Sequence, residues 1–233
     1  MENPKKLKAI IFDVDGVIAE TESIHLKAFQ KTFSRFNIHF SPEYHRKLIG
    51  ETVRNNIIKI NKDFNINVDV EKYAKERNKE YISLLEKNAI SPNKGLKEIL
   101  LWGKENGIKL GICSSAIKIM VEMVLKGVFK TMGLSESIYD FFDAFATAEN
   151  VRRKKPFPEI YLYVINKINL SPSECLAIED SEFGIKSAKS AGCKVVGLIT
   201  PFTTTDDLVE ADKIVNSLED ILKNNFWGWF NNK

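Results

Sequence analysis

The 233-residue sequence is poor in cysteine and histidine, nearly balanced in charge, and free of long apolar runs. Its three cysteines, Cys113, Cys175 and Cys193, form no CxxC pair and have apolar neighbours. An odd, scattered set of this kind reads as reduced, buried thiols in a cytosol-like, cytoplasmic compartment. No His/Cys cluster has ligand spacing, which argues against a thiolate metal site. Lys and Arg number 34 against 31 Asp and Glu, a formal charge of +3. So even a balance supplies no argument for nucleic acid or an anionic membrane as partner. No segment approaches the roughly 20 apolar residues that cross a bilayer. The apolar run after the first lysines ends at Phe12, too short for a signal peptide, and no small-residue cleavage site follows. The aromatic stretch Phe226–Phe230 is also short and reads as a tail docked on the domain rather than a membrane anchor. With 44% hydrophobic and 28% charged residues, the composition is that of a folded soluble chain, and disorder is excluded as its main state.

What is present is an alternation of two kinds of segment. Short β-branched apolar runs predict buried strands at Leu7–Phe12, Ile108–Cys113, Phe142–Ala146, Cys175–Ile178, Lys194–Ile199 and Lys213–Val215. Helical patterns lie between them at Leu96–Glu105, Ile117–Lys126, Pro158–Ile168 and Glu182–Ser190, with Gly192 placed as a C-cap. This predicts an α/β fold: a Rossmann-like parallel sheet with helices on both faces. The stretch from Thr21 to Asn88 breaks the rhythm. Leu26, Phe29, Phe33 and Phe36 mark one amphipathic helix, and Val53, Ile57, Ile58 and Ile60 a second. Tyr73, Arg77, Tyr81, Leu84 and Leu85 mark a third. A block this long between two strands exceeds any ordinary loop and predicts a small helical domain inserted after the first strand. The expected division is a core of residues 1–19 and 91–233 and an insert of residues 20–90.

Chemistry-bearing residues gather at the predicted strand ends, where open α/β sheets bind ligands. Asp13 and Asp15 end the first strand in FDVDGV. Two carboxylates there cannot both be buried unpaired. A bound cation, a nucleophile with its acid/base, or an Asp-rich turn with Gly16 at positive φ would each account for them. Ser114 and Ser115 tip the second strand, suited either to a phosphate oxygen at a helix start or to an N-cap. Glu179 and Asp180 tip a later strand, and hard oxygen ligands from two strand ends suit Mg²⁺. Lys155, before Pro156 in KKPFPEIY, could neutralise a phosphoryl group or the neighbouring aspartate.

In that order, DVDGV, CSS, KPFPEIY and IEDS resemble the four signature motifs of the haloacid dehalogenase-like hydrolases. The inserted helices resemble their helical cap domain. The resemblance spans about residues 7 to 200, and Asp15 marks the phosphotransferase branch. It implies Asp13 as the nucleophile that forms an aspartyl-phosphate and Asp15 as general acid/base. It further implies Mg²⁺ held by Asp13, the Asp15 carbonyl and Asp180, with Glu179 directly or through water, and Ser114 and Lys155 on the phosphoryl oxygens.

The cap would supply specificity, with His25, Arg54, Arg77, Ser115 and Lys118 as candidate substrate contacts. ETESIH resembles the cap entry of sugar-phosphate phosphatases and β-phosphoglucomutase, where a His assists catalysis or closure. The mutase spacing Gly–x–x–Arg is one residue longer here, between Gly50 and Arg54. The resemblance therefore favours a Mg²⁺-dependent phosphatase of a small phosphorylated metabolite, of sugar phosphate or phosphoglycolate type, over a β-phosphoglucomutase-like phosphotransferase and over a catalytically silent module that binds a phospho-ligand or a protein. The expected protein is a monomer or homodimer without a nucleic-acid or membrane partner. Arg152, Arg153, Lys154 and Lys155 read as a solvated basic turn carrying the catalytic lysine. Two features stay without a role: the segment Met132–Tyr139 and the aromatic tail.

Overall fold

A computed structural model describes residues 6–223 and 226–231. The parts of the expected core at residues 1–5, 224–225 and 232–233 lie outside the described residues. The chain forms strands β1 (Ala9–Phe12), β2 (Lys109–Cys113), β3 (Ala144–Ala146), β4 (Cys175–Glu179), β5 (Lys194–Leu198) and β6 (Lys213–Val215). They make one parallel sheet in the order β3-β2-β1-β4-β5-β6. The order reverses beside β1, so the crevice at its carboxyl end is the switch point where such sheets bind ligands.

The helices are α1 (Glu22–Thr32), α2 (Pro42–Arg46), α3 (Val53–Asp63), α4 (Val70–Lys87), α5 (Leu96–Glu105), α6 (Lys118–Met132), α7 (Ile138–Phe141), α8 (Glu159–Ile168) and α9 (Glu182–Ser190). Alternation along β1 assigns its two faces. Ile10 and Phe12 enter a core shared with α5 and α6, whereas Ala9 and Ile11 enter one shared with α8 and α9. Both faces are covered, which is why the strands read as unbroken apolar runs.

The helices α1 to α4 form a helical cap with a core of its own, built on Phe29, Phe33, Phe40, Ile57, Ile60 and Tyr73. The cap is joined to the sheet domain more tightly than two linkers require. Tyr81, Leu84 and Leu85 at the end of α4 pack into the sheet domain's core. Ala19 bridges to both Asp15 and Pro92, and Asn93 Nδ2 donates to the carbonyls of Gly16 and Val17 at 2.6 and 3.0 Å. The two crossings between core and cap are thus fastened to one another.

Several boundaries differ from the sequence reading. Helix α6 passes Lys126 and ends at Met132, where Gly133 takes the left-handed conformation (φ 70°). Gly127 does not stop the helix; it makes room for Ile90, whose side chain a Cβ there would crowd at 2.9 Å. Strand β3 starts at Ala144 because Phe142 caps α7 and packs its ring 5.9 Å from that of Phe129. The segment Met132–Tyr139 is therefore the turn between two packed helices. Helix α2, five residues long, is too short to show a period. All three cysteines are free and buried. Trp227 in the aromatic tail stacks on Trp102 at 5.2 Å, and Phe230 is buried against the domain. Among the described residues, no helix is long and apolar enough to cross a membrane.

Candidate active site

The carboxyl ends of β1, β2 and β4 and the cap enclose a cavity of about 460 Å³. Asp13 follows β1 directly, its N–H still in the ladder with Ile178 (3.0 Å). Lys155, from the loop before α8, is buried beneath it. Its Nζ donates to Asp13 Oδ1 at 2.5 Å, to Glu179 Oε1 at 2.6 Å and to the Cys113 carbonyl at 3.3 Å. Burial alone would favour the neutral amine, but the Asp13 and Glu179 carboxylates outweigh it and raise the Lys155 pKa above that of an ordinary lysine. Tyr161 donates to the same Glu179 oxygen at 2.5 Å.

Asp13, Glu179 and Asp180 converge, with one carboxylate oxygen from each within 4.8 Å of the others. Burial pushes Asp13 and Asp180 well up, and the neighbouring carboxylates add to it against the pull of Lys155. Asp180 Oδ2 is buried without a hydrogen-bond partner. Gly16, at φ 80°, has no Cβ, and one placed there would fall inside the Asp180 carboxylate. The orphaned oxygen, the surplus of negative charge and the all-oxygen donor set fit a hard divalent cation such as Mg²⁺. Asp13 and Asp180 would hold it. Glu179 stands close, but its Oε1 already accepts from Lys155 and Tyr161, so it orients Lys155 as well.

Asp15 points the other way, toward the cap. Its Oδ1 accepts from Thr21 Oγ1 (2.6 Å) and Tyr81 Oη (3.2 Å) and lies 3.1 Å from His25 Nε2. Thr21 begins α1 but makes no side-chain cap, spending its hydroxyl on Asp15. The His25 ring stacks on Tyr81 at 3.9 Å, and the Arg77 guanidinium contacts its Nδ1. Arginine has only donors, so Nδ1 accepts and the ring proton sits on Nε2, directed at Asp15. Burial pushes the Asp15 carboxyl up, but His25 and the bonds from Thr21 and Tyr81 outweigh it and hold the pKa below the ordinary value.

Of the residues singled out in the sequence, Asp13, Asp15, His25, Arg54, Arg77, Ser115, Lys155 and Asp180 all line the cavity. Ser115 Oγ is buried and unpartnered, whereas Ser114 Oγ accepts from the Ala116 N–H at 3.0 Å. Arg54 is an exposed rim residue paired with Glu71 at 2.6 Å. Lys118 departs from its expected place. As the first residue of α6 it lies on the outer face, 3.8 Å from Glu122 and over the Tyr139 ring, and it does not line the cavity. The basic run separates: Lys155 is buried, Lys154 lines the cavity, and Arg153 pairs with Glu159.

Sequence reasoning missed Thr21, Glu22, His45, Asn56 and Tyr161. It placed Tyr81 only on an apolar stripe. Arg77 on that same stripe was the available signal, because a charge on a buried helix face needs partners.

The family profile described as "Haloacid dehalogenase-like hydrolase" matches residues 10–198. The chain belongs to the haloacid dehalogenase-like hydrolases. By that membership it is an enzyme of the hydrolase type. It is 32% identical over 213 residues to "Protein CbbY" of Rhodobacter capsulatus, covering 89% of this chain and 92% of that protein. It is 26% identical to "Phosphorylated carbohydrates phosphatase" of Thermotoga maritima, covering 93% of this chain and all of the other (100%). The crystal structure of beta-phosphoglucomutase from Clostridium difficile superposes with a TM-score of 0.81 at 28% identity, covering 97% of each chain.

Proposed function

We propose that this hydrolase is a Mg²⁺-dependent phosphatase of a small phosphorylated, sugar-like metabolite, working through an aspartyl-phosphate on Asp13. The observation that carries the reading is the opposition of Asp13, pinned by Lys155, to Asp15, held by His25, across one cavity. The relative named as a phosphorylated carbohydrates phosphatase supports the substrate class. In the first half-reaction the Asp13 carboxylate attacks phosphorus, an Asp13–phosphate bond forms and the bond to the leaving alcohol breaks. Asp15 gives its proton to that alcohol. In the second, Asp15 takes a proton from water, which attacks phosphorus, releases phosphate and frees Asp13. Asp15 enters the first half with a proton; once that is given up, the contacts from Thr21, His25 and Tyr81 hold the carboxylate ionised for the second. Lys155 offsets charge on the transferring oxygens, and Ser114 and Ser115 offer hydroxyls to them. A bound divalent cation would cancel the repulsion between carboxylate and phosphate.

The test is a panel of phosphorylated metabolites assayed for phosphate release with Mg²⁺, with Asp13→Asn as control. Release by the wild type and none by the variant supports the reading; equal release by both overturns it. The beta-phosphoglucomutase likeness favours a second reading, transfer rather than hydrolysis. Incubation with β-glucose 1-phosphate separates the two: glucose 6-phosphate means a mutase, free phosphate a phosphatase.

A further inference from the structure

The cap wall of the cavity carries polar groups for which the phosphate chemistry has no use. Glu22, in the first turn of α1, and His45, in α2, are 8% and 2% exposed and both line the cavity. His45 Nε2 lies 2.7 Å from Glu22 Oε2. The ring is held between Phe29 (6.2 Å) and Phe202, which meets it edge-on at 5.5 Å from the sheet domain. Among the described residues, no hydrogen bond reaches the other Glu22 oxygen. Asn56, also buried on this wall, donates to the Leu48 carbonyl at 2.9 Å, and its Oδ1 is without a partner, as is His45 Nδ1.

Buried polar groups left unsatisfied are costly, and those that line a cavity can be satisfied by what binds in it. The buried unpartnered atoms here are the Asn56 amide oxygen and His45 Nδ1, and the second Glu22 carboxylate oxygen belongs to a side chain that borders the same cavity, so the wall offers mainly acceptors. Their complement is a set of O–H donors. A second phosphate or carboxylate would bring only acceptors and would meet the Glu22 charge. The cavity is large enough for a small-molecule ligand with a body beyond its phosphate.

We infer that Glu22 and His45, with Asn56, are specificity-determining residues that read hydroxyl groups on the part of the substrate remote from the phosphate. They select a polyhydroxylated monophosphate over a substrate bearing a second anionic group at that end. This rests on the phosphatase reading above and narrows it, setting aside the phosphoglycolate type.

The experiment compares kcat/KM for hexose, pentose and glycerol monophosphates with that for phenyl phosphate, which has no hydroxyl to offer. It is run with Mg²⁺ on wild type, Glu22→Gln and His45→Gln. The ratio of the best hydroxylated substrate to phenyl phosphate is expected to fall about 10- to 100-fold in Glu22→Gln, and in the same direction in His45→Gln. A ratio unchanged in a cooperatively melting variant, or an equal loss on both substrates, overturns the assignment. A wild-type measurement needs no variant to fold: deoxy analogues of the best substrate should lose at least about tenfold at one hydroxyl. No loss at any hydroxyl overturns the inference alone. No turnover of any phosphate ester by the wild type overturns the phosphatase reading itself.

Discussion

His25 Nε2 lies 3.1 Å from Asp15 Oδ1, so the first cap helix places a proton donor on the carboxylate that we propose as acid/base. Arg77 fixes the tautomer from behind and Tyr81 fixes the ring plane. His25→Phe keeps a ring against Tyr81 and removes the donor. We expect kcat for phosphate release to fall about 10- to 100-fold, in the range of lost orienting partners of reactive groups. A variant as fast as wild type would remove His25 from the mechanism.

Lys155 is the only described cation in hydrogen-bond contact with both Asp13 and Glu179. Lys155→Met would leave two buried carboxylates without their shared partner. Such a loss costs about 3–5 kcal/mol. Urea unfolding at neutral pH should show that decrease, with activity abolished. A stability loss below about 1 kcal/mol would mean that water or an ion replaces the ammonium.

The orphaned Asp180 oxygen makes metal binding measurable without catalysis. Millimolar Mg²⁺ should raise the melting temperature of the wild type, because a ligand bound by the folded state alone stabilises it. Asp180→Asn should abolish that rise while melting, metal-free, no lower than the wild type. Its buried carboxylate is resisted by burial and by the neighbouring Asp13, so its removal relieves repulsion. An undiminished Mg²⁺ shift in the variant would place the ion elsewhere.

Lys118 faces away from the cavity toward Glu122 and Tyr139. Lys118→Ala should therefore change kcat/KM on any accepted substrate by less than about threefold, as expected of an exposed charge pair. A larger fall in steady-state assays would show that the ammonium reaches the substrate.

Much of this arrangement is legible along the chain because it is local. Strand runs covered on both faces are continuous in sequence, and in an α/β sheet the residue after a strand is carried to the ligand crevice. Asp13, Asp15 and Asp180 could thus be placed at the crevice from short motifs, whereas Lys155 reaches it from the loop before α8, well beyond the end of β3. The helix expected to end at Lys126 runs on to Met132 through Gly127, a glycine that close packing against Ile90 requires and that no helical period marks in the sequence.

What the sequence by itself determined is the sheet, the inserted helical cap and the acidic groups at the strand ends, since each follows from periodicity or from position next to a strand. Only the tertiary structure decided which cap residues meet the site. Glu22 and His45 are 23 residues apart, and Tyr81 lies 66 residues from Asp15. Arg77 turned inward and Lys118 outward, although both are cations on helices in the sequence. Those directions depend on how the cap's aromatic core sets its helices against the sheet, and no local pattern of residues encodes that packing.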